Sequence, residues 1–202
     1  MSPPAWLDPS AEVLAVARPV VARAFVARHL DVLAAMDLDR ARSIEVAAHA
    51  ATETGWGALE IAHNAGGVKA RERDAALYLL GHAQPQTWYR RAGHVASGDA
   101  PEVYYQGFDN TAAFWAFWLG RYVPRAGRAG ERYTATGGAF WGPIPSAWFP
   151  ALLIAGYRGA VREREVRALV DAGRDPGLHA SVRAHRACVA RVRALAALGA
   201  VG

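Results

Sequence analysis

Residues 39–57 read DRARSIEVAAHAATETGWG, and this stretch decides how the chain is expected to fold. Apolar residues recur in it at intervals of three and four, and alanine, the best helix former, is abundant. The pattern predicts a helix over residues 38–54, with Asp39 or Ser43 as its N-cap. Gly55 is a natural stop, because glycine tolerates the left-handed conformation that follows a helix end.

Glu53 falls in the last turn of this helix, where the helix dipole disfavours a negative charge. Trp56 follows in a Gly-Trp-Gly turn, and an apolar ring beside a carboxyl group also disfavours its charged form. A carboxyl group that is protonated near neutral pH is what a general acid requires. His49, one turn earlier, would either orient this group or occupy the helix surface. A solvated glutamate at a frayed helix end is the alternative interpretation.

A second turn-forming element, Asn64-Ala-Gly-Gly-Val-Lys69, follows Gly57 after six intervening residues and contains the chain's only lysine. Together the two elements resemble glycoside hydrolase family 73, the peptidoglycan N-acetylglucosaminidases of the flagellar-rod and autolysin type. The family signature runs approximately A-Q-A-x-L-E-S-G-W-G and then N-L-F-G-I-K. In this chain, Thr54 replaces its serine and Ala65-Gly66 replaces its Leu-Phe pair.

Two later fragments agree with the same family in their order along the chain. Tyr105 to Asn110, followed by an aromatic helix that ends at Tyr122, resembles the family's F-R-x-Y-x-S segment and the helix after it. The sequence ALLIAGY, which ends at Tyr157, resembles the L-x-x-A-G-Y element, although the usual T-D-P does not follow. The resemblance covers about residues 40–160 and is most specific at the first motif.

The resemblance implies a mainly α-helical (α+β), lysozyme-like fold with a small β-hairpin lobe over a cleft. It implies hydrolysis of the β-1,4 bond between N-acetylglucosamine and N-acetylmuramic acid, with Glu53 as the general acid. Sugar rings stack on aromatic faces, so aromatic residues near the motifs are candidates for the cleft. The candidate substrate-binding residues are Trp56, Asn64, Lys69, Trp88, Tyr89, Tyr105, Tyr122 and Tyr157. Asn64 and Lys69 would either contact substrate or fix the turn, with Lys69 bonded to backbone carbonyls.

A second catalytic carboxylate is harder to place. Glycosidases usually pair an acid with a second carboxylate, and many family members hold it in a T-E-Y-E-N-G-like hairpin. Trp88 stands at that place here, so Glu102 is the candidate replacement, with Asp99 and Asp109 as alternatives. Otherwise the substrate's own acetamido group or hydroxyl takes the role, and the hydroxyl route gives anhydro products, as lytic transglycosylases do. Loss of activity is the remaining alternative.

The resemblance divides the 202 residues into three segments. Residues 1–37 form an N-terminal helical extension, 38–160 the lysozyme-like glucosaminidase core, and 161–202 C-terminal helices packed on that core. Within these segments the sequence pattern predicts a first helix that ends near residue 36. The other predicted elements are a short helix over 71–82, a hairpin over 87–107, a helix from Asn110 or Thr111 to Tyr122, a turn-rich lid or partner-facing loop over 123–150, and closing helices over 150–157, 161–172 and 179–198.

Charge and composition limit the partners. A net charge of +5 suits an anionic polymer such as peptidoglycan. The arginines are scattered and no nucleic-acid-binding motif accompanies them, so we expect no nucleic acid partner. The histidines show no metal-ligand spacing, and the single cysteine, Cys188, allows no intrachain disulfide. We therefore expect no metal and no cofactor.

The first twenty residues lack the basic region and uninterrupted apolar run of a signal peptide, and no stretch is long enough for a membrane span. We therefore expect synthesis in the cytoplasm and no membrane insertion. The protein would reach the cell wall after lysis, or through a phage tail, an injection system or a secretion machine. The alternative function is an inactive lysozyme-like domain that binds the wall or forms part of such an assembly.

Overall fold

The computed structural model describes residues 11–57, 60, 63–69, 88–90, 104–125, 131–143 and 145–198. These residues form seven α-helices and one two-stranded sheet, so the predicted mainly helical fold class is confirmed. None of the described helices combines the length and apolar character needed to cross a bilayer. In chain order the elements are α1 (Ala11–Ala35), α2 (Arg40–Thr54), β1 (Trp88–Arg90), β2 (Tyr104–Gln106), α3 (Thr111–Tyr122), α4 (Thr134–Trp141), α5 (Trp148–Ile154), α6 (Ala160–Asp171) and α7 (Ala180–Leu198).

Helix α2 is the central element, and it begins and ends as its sequence predicts. The Asp39 side chain caps its first turn by accepting a hydrogen bond from the Arg42 amide at 3.0 Å. Gly55 ends it in the left-handed conformation, with φ 57° and ψ 49°. Every residue from Ser43 to Ala51 is buried, so α2 has neighbours on all sides. The abundant alanines allow this close approach, because their side chains keep neighbouring elements only a methyl group away from the backbone.

Helix α3 supplies most of the aromatic core beneath α2. Asn110 caps it by accepting a hydrogen bond from the Ala113 amide at 2.8 Å, which confirms one of the two predicted caps. Phe114, Trp115 and Trp118 are fully buried on its inner face. Trp118 packs edge-on against Trp148 of α5, with ring centroids 5.8 Å apart. These buried rings lie beneath the candidate site.

The prediction of a turn-rich lid or loop over residues 123–150 is wrong, because α4 and the start of α5 lie there. Glycines are poor helix formers, so local sequence favours a loop. Tertiary packing overrides this preference. A Cβ atom at Gly137 would lie 2.1 Å from the Pro124 carbonyl oxygen, so only glycine permits this contact. Phe140 and Trp148 are both fully buried, which ties the segment to the core.

The sheet is attached to the second sequence element. Strands β1 and β2 are antiparallel, with Tyr89 opposite Tyr105. Lys69 pairs with Tyr105 through a further antiparallel bridge, and the Gln106 amide donates to the Val68 carbonyl at 3.0 Å. Both strands fall within the hairpin predicted over residues 87–107, whose residues 91–103 lie outside the described part of the chain. The helix predicted over residues 71–82 lies outside it as well.

Helix α7 packs along α2 through an apolar face formed by Val182, Val189, Val192 and Ala196. A buried polar cluster lies beside this face. Glu45 of α2 accepts hydrogen bonds from Trp148 Nε1 at 3.2 Å and His185 Nε2 at 3.1 Å. A buried carboxylate is costly unless it is bonded in this way. The cluster therefore fixes the register of α2 against α5 and α7.

Candidate active site

Glu53 lies in the wall of a pocket of about 320 Å³ between the end of α2, the Asn64–Lys69 element and the end of α5. Four of the residues predicted to form the site meet here. They are Glu53, Lys69, Tyr122 and Tyr157. The other described residues of the lining are Gly66, Gly67, Val68, Arg121, Arg132, Tyr133, Gly156 and Arg158.

The surroundings of Glu53 are ionic, not apolar as its sequence position suggested. Its side chain is 21% exposed and pairs with Arg158. Arg158 Nε and Nη2 both donate to Oε1 of Glu53, at 2.9 and 2.5 Å. Two charge-assisted hydrogen bonds from a planar guanidinium fix the orientation of a carboxylate. Sequence reasoning missed Arg158, although it directly follows the ALLIAGY element, where the family's T-D-P is missing.

His49 is buried beside Glu53, which excludes the helix-surface position that was its alternative. It is 1% exposed and is enclosed by the rings of Trp118, Trp148, Phe149 and Tyr157. Burial, followed by the charge of Arg158, lowers the pKa of His49 well below its usual value, so the ring is neutral. Its Nδ1 lies 3.9 Å from Oε1 of Glu53.

The network around Tyr157 assigns the proton of His49. The Tyr157 hydroxyl donates to the Gly66 carbonyl at 3.0 Å, and His49 Nε2 lies 3.2 Å from the same hydroxyl. A neutral imidazole carries one proton, so Nε2 donates to Tyr157 and the lone pair of Nδ1 faces Glu53. Burial, followed by the charge of Glu53, raises the pKa of Tyr157 well above its usual value. Tyr157 therefore stays neutral and links α2, α5 and the second sequence element.

Asn64 fixes a turn, which is one of the two roles predicted for it, and the substrate contact stays a prediction. Its side chain is buried, and its Nδ2 donates to the Val68 and Gln106 carbonyls, both at 2.8 Å. Its Oδ1 accepts from the Val68 amide at 2.9 Å. In these three hydrogen bonds the side-chain amide of Asn64 is bonded only to backbone groups. They hold the neighbouring Lys69 at the pocket wall. The family-like asparagine thus has a structural role here.

The Ala65-Gly66 replacement also has a structural explanation. A Cβ atom at Gly66 would lie 3.0 Å from the Trp118 ring and 3.2 Å from Phe114. The space under this loop is therefore filled by aromatic side chains of α3, and a larger residue at position 66 would collide with them. The absence of a large side chain at position 66 thus leaves room for the Trp118 ring.

Trp56 occupies a strained turn away from the described pocket lining. Gly55, Trp56 and Gly57 have successive φ angles of 57°, 62° and 90°. A tryptophan rarely adopts a positive φ, so its surroundings must hold it there. Arg191 of α7 does so in part, with its guanidinium carbon 4.6 Å from the centroid of the indole ring. Trp56 thus packs between the turn and α7 and is not among the described lining residues, while its role in the cleft stays a prediction.

The remaining predicted site residues are not brought to the pocket by the described structure. Tyr105 is buried in β2. Trp88 and Tyr89 lie in β1, but their side chains are outside what the structure describes. Glu102 and Asp99 lie outside the described residues, and Asp109 is exposed before α3. Glu53 is consequently the one carboxylate in the described lining.

Besides Arg158, sequence reasoning missed three further residues with functional side chains in the pocket wall. Arg121 of α3, and Arg132 and Tyr133 just before α4, line the same pocket as Glu53. Arg121 belongs to the Arg-Tyr pair that ends α3, which was the available signal for it. Arg132 and Tyr133 lie in the segment that was predicted to be a loop, and nothing in their local pattern places them at a site.

Among the described residues, no cluster of three or more histidine, cysteine, aspartate or glutamate side chains is placed to hold a metal ion. Comparison of the chain with protein-family models, with curated proteins and with solved structures gives no match.

Proposed function

We propose that the protein is a lysozyme-like peptidoglycan glycan-strand hydrolase that cleaves the β-1,4 bond between N-acetylglucosamine and N-acetylmuramic acid, with Glu53 as general acid. The observation that carries the proposal is the convergence of Glu53, Lys69, Tyr122 and Tyr157 on one pocket. These residues come from three separate fragments of sequence that share an order with one family. The sheet formed by β1 and β2 would be the hairpin lobe beside the cleft.

The geometry around Glu53 suits transfer of a proton from Oε2. Both arginine hydrogen bonds reach Oε1, so the transferable proton belongs on the other oxygen. That proton passes to the glycosidic oxygen as the bond to the anomeric carbon breaks, and a water molecule supplies the hydroxyl group of the new reducing end. Arg158 then stabilises the resulting carboxylate through its two donors.

The proposed mechanism needs a second chemical group besides Glu53. The described lining contains no carboxylate besides Glu53. A residue such as Glu102, the acetamido group of the substrate, or one of its hydroxyl groups would complete the reaction. These routes differ in their products, since the hydroxyl route leaves an anhydro sugar and takes up no water.

End-group analysis tests the proposal. Peptidoglycan is digested with the wild-type protein in ¹⁸O-labelled water, and the fragments are identified by mass spectrometry. Hydrolysis predicts labelled reducing ends, and the sugar at that end names the bond. Unlabelled anhydro ends would indicate that the reaction is transglycosylation and not hydrolysis. Absence of new ends from a folded protein would contradict the proposal.

The second candidate is a non-catalytic wall-binding or structural component of a phage-tail or injection assembly. The ion pair between Glu53 and Arg158 favours it, because a carboxylate held by a guanidinium has to gain a proton before it can act as an acid. Retention of the protein on peptidoglycan without any release of fragments would support this function. In either case the protein would act on the wall after lysis or after delivery by such a machine.

A further inference from the structure

We infer that His49 is a positioning residue for Glu53, whose carboxyl group, once protonated, donates a hydrogen bond to the bare ring nitrogen Nδ1 of His49. Arg158 is then the partner of the ionised form of Glu53, and His49 is the partner of the acid form. The inference rests on the proposed function, in which Glu53 is the general acid. It goes beyond that function because it gives His49 a part in holding the proton before it is transferred.

The ring nitrogen Nδ1 of His49 is a buried acceptor. It has no hydrogen-bond partner among the described residues. A buried polar atom without a partner costs free energy, so such atoms are rare in folded proteins. His49 and Glu53 are four residues apart on α2 and share one of its faces, with Nδ1 3.9 Å from Oε1. The unpartnered nitrogen therefore lies beside the one carboxylate in the described pocket lining.

Tyr157 makes Nδ1 an acceptor and not a donor. The Tyr157 hydroxyl donates to the Gly66 carbonyl at 3.0 Å, so its oxygen accepts the proton of His49 Nε2 at 3.2 Å. The opposite tautomer would require the hydroxyl proton to turn from Gly66 to Nε2. That change would leave the Gly66 carbonyl without this donor, which the tautomer with a bare Nδ1 avoids.

Glu53 thus has a suitable partner for each of its two protonation states. Arg158 Nε and Nη2 donate to Oε1 at 2.9 and 2.5 Å, which suits a carboxylate, because a carboxylate only accepts. A protonated carboxyl group is also a donor, and a guanidinium has no acceptor to offer it, whereas His49 Nδ1 does. A half-turn of the carboxyl group about its last bond exchanges the two oxygens. A shift of about 1 Å then brings the O–H group to hydrogen-bond length from Nδ1.

The titratable groups that surround His49 keep its ring neutral while it accepts this bond. The charge of Arg158, from the turn after α5, opposes a proton on the ring, and so does His185 of α7. Burial raises the pKa of the Tyr157 hydroxyl and of the Cys188 thiol, so both of these groups are neutral. The other rings packed against His49 do not titrate, and they are Trp118, Trp148 and Phe149.

Nitrogen NMR of the histidine rings tests the inference without relying on catalysis. The wild-type protein is labelled with ¹⁵N-histidine and titrated from pH 8 to pH 5, and the His49 signals are identified by their absence from His49→Gln. We expect Nε2 to carry the proton throughout, and the Nδ1 signal to move toward that of a hydrogen-bonded acceptor as Glu53 gains its proton. Glu53→Gln should lack this movement. A proton on Nδ1, or the same pH dependence of Nδ1 in both proteins, overturns the inference.

The pH dependence of glycan cleavage gives a second readout, because a purely structural role would change the rate at every pH alike. His49→Phe keeps a ring but has no acceptor. The alkaline limb of kcat/KM, where the rate falls as the pH rises, should therefore move to lower pH by about 0.5–1 unit. His49→Gln keeps one donor and one acceptor and should restore part of this shift. An alkaline limb at the same pH in all three proteins contradicts the inference.

Tyr157→Phe tests the tautomer. It removes the acceptor of Nε2, so the ring proton is free to move to Nδ1 and donate to the Glu53 carboxylate. We expect a protonated Nδ1 in the nitrogen spectrum of this variant and an alkaline limb displaced to lower pH, as in His49→Phe. A bare Nδ1 in Tyr157→Phe would show that Tyr157 does not set the tautomer, and would remove this step of the inference.

The outcomes separate this inference from the proposed function. An Nδ1 signal that follows protonation of Glu53, in a protein that releases no fragments, leaves His49 as the partner of the acid form and removes the hydrolase. Cleavage by a wild-type protein whose Nδ1 carries a proton does the reverse. If His49→Phe does not fold, the titrations of the wild-type protein and Glu53→Gln decide alone.

Discussion

Arg158 donates two hydrogen bonds to one oxygen of Glu53, so a glutamate expected beside an apolar ring is half of an ion pair instead. The position of Glu53 at the end of α2 was predictable, because a cap and a stop signal bracket the helix. Its partner was not, because Arg158 is distant along the chain and only the fold brings it close. The same holds for His49, whose burial depends on rings from α3 and α5.

Replacement of Arg158 tests whether it orients the carboxyl group of Glu53, the proposed general acid. We expect Arg158→Gln to lower kcat on solubilised glycan strands about tenfold with little change in KM, because Glu53 loses its fixed geometry. Arg158→Lys should recover part of the loss, since it restores the charge without the two-donor fork. An unchanged kcat in Arg158→Gln would show that the ion pair has no role in the reaction.

At the scale of the elements, sequence periodicity and caps predicted α2 and α3 closely. Asp39 and Asn110 cap these helices through their side chains, and Gly55 ends α2 through its left-handed backbone conformation. The error lies in α4, where glycine content argued for a loop. Its stability comes from contacts with Pro124 and from burial of Phe140, and neither can be seen in an eight-residue window.

Two adjacent glycines of α4 provide a matched pair. Gly137→Ala should destabilise the protein by about 1–3 kcal/mol, because its Cβ would overlap the Pro124 carbonyl oxygen. Gly138→Ala has open space around its Cβ and should stabilise the helix by up to about 1 kcal/mol. Urea unfolding of both variants measures the difference. Equal effects would mean that α4 does not pack against Pro124 as described.

For the whole molecule, buried neutral histidines make stability depend on pH. Burial lowers the pKa of His49 well below 6.5, and burial also lowers that of His29, whose Nδ1 accepts a hydrogen bond from Trp115 Nε1. In the unfolded chain these rings bind protons near pH 6.5, whereas in the folded protein they bind protons only at a lower pH. Stability is therefore full above pH 6.5 and is lost as the pH falls below it.

Urea unfolding at pH 7.5, 6 and 5 measures this dependence. Each such histidine contributes a slope of up to about 1.4 kcal/mol per pH unit below pH 6.5. His49→Phe should reduce the slope, whatever its effect on stability at pH 7.5. A slope that is unchanged in His49→Phe would show that this ring is protonated in the folded protein.

The central claim is that Glu53 acts as the proton donor in cleavage of glycan strands. The most direct measurement compares the rate of fragment release from peptidoglycan by the wild-type protein, Glu53→Gln and Glu165→Gln, the last a control at an exposed glutamate of α6. We predict that Glu53→Gln lowers the rate roughly a hundredfold or more, while Glu165→Gln keeps it. Release at the wild-type rate by folded Glu53→Gln, or no release by the wild-type protein, would contradict the account.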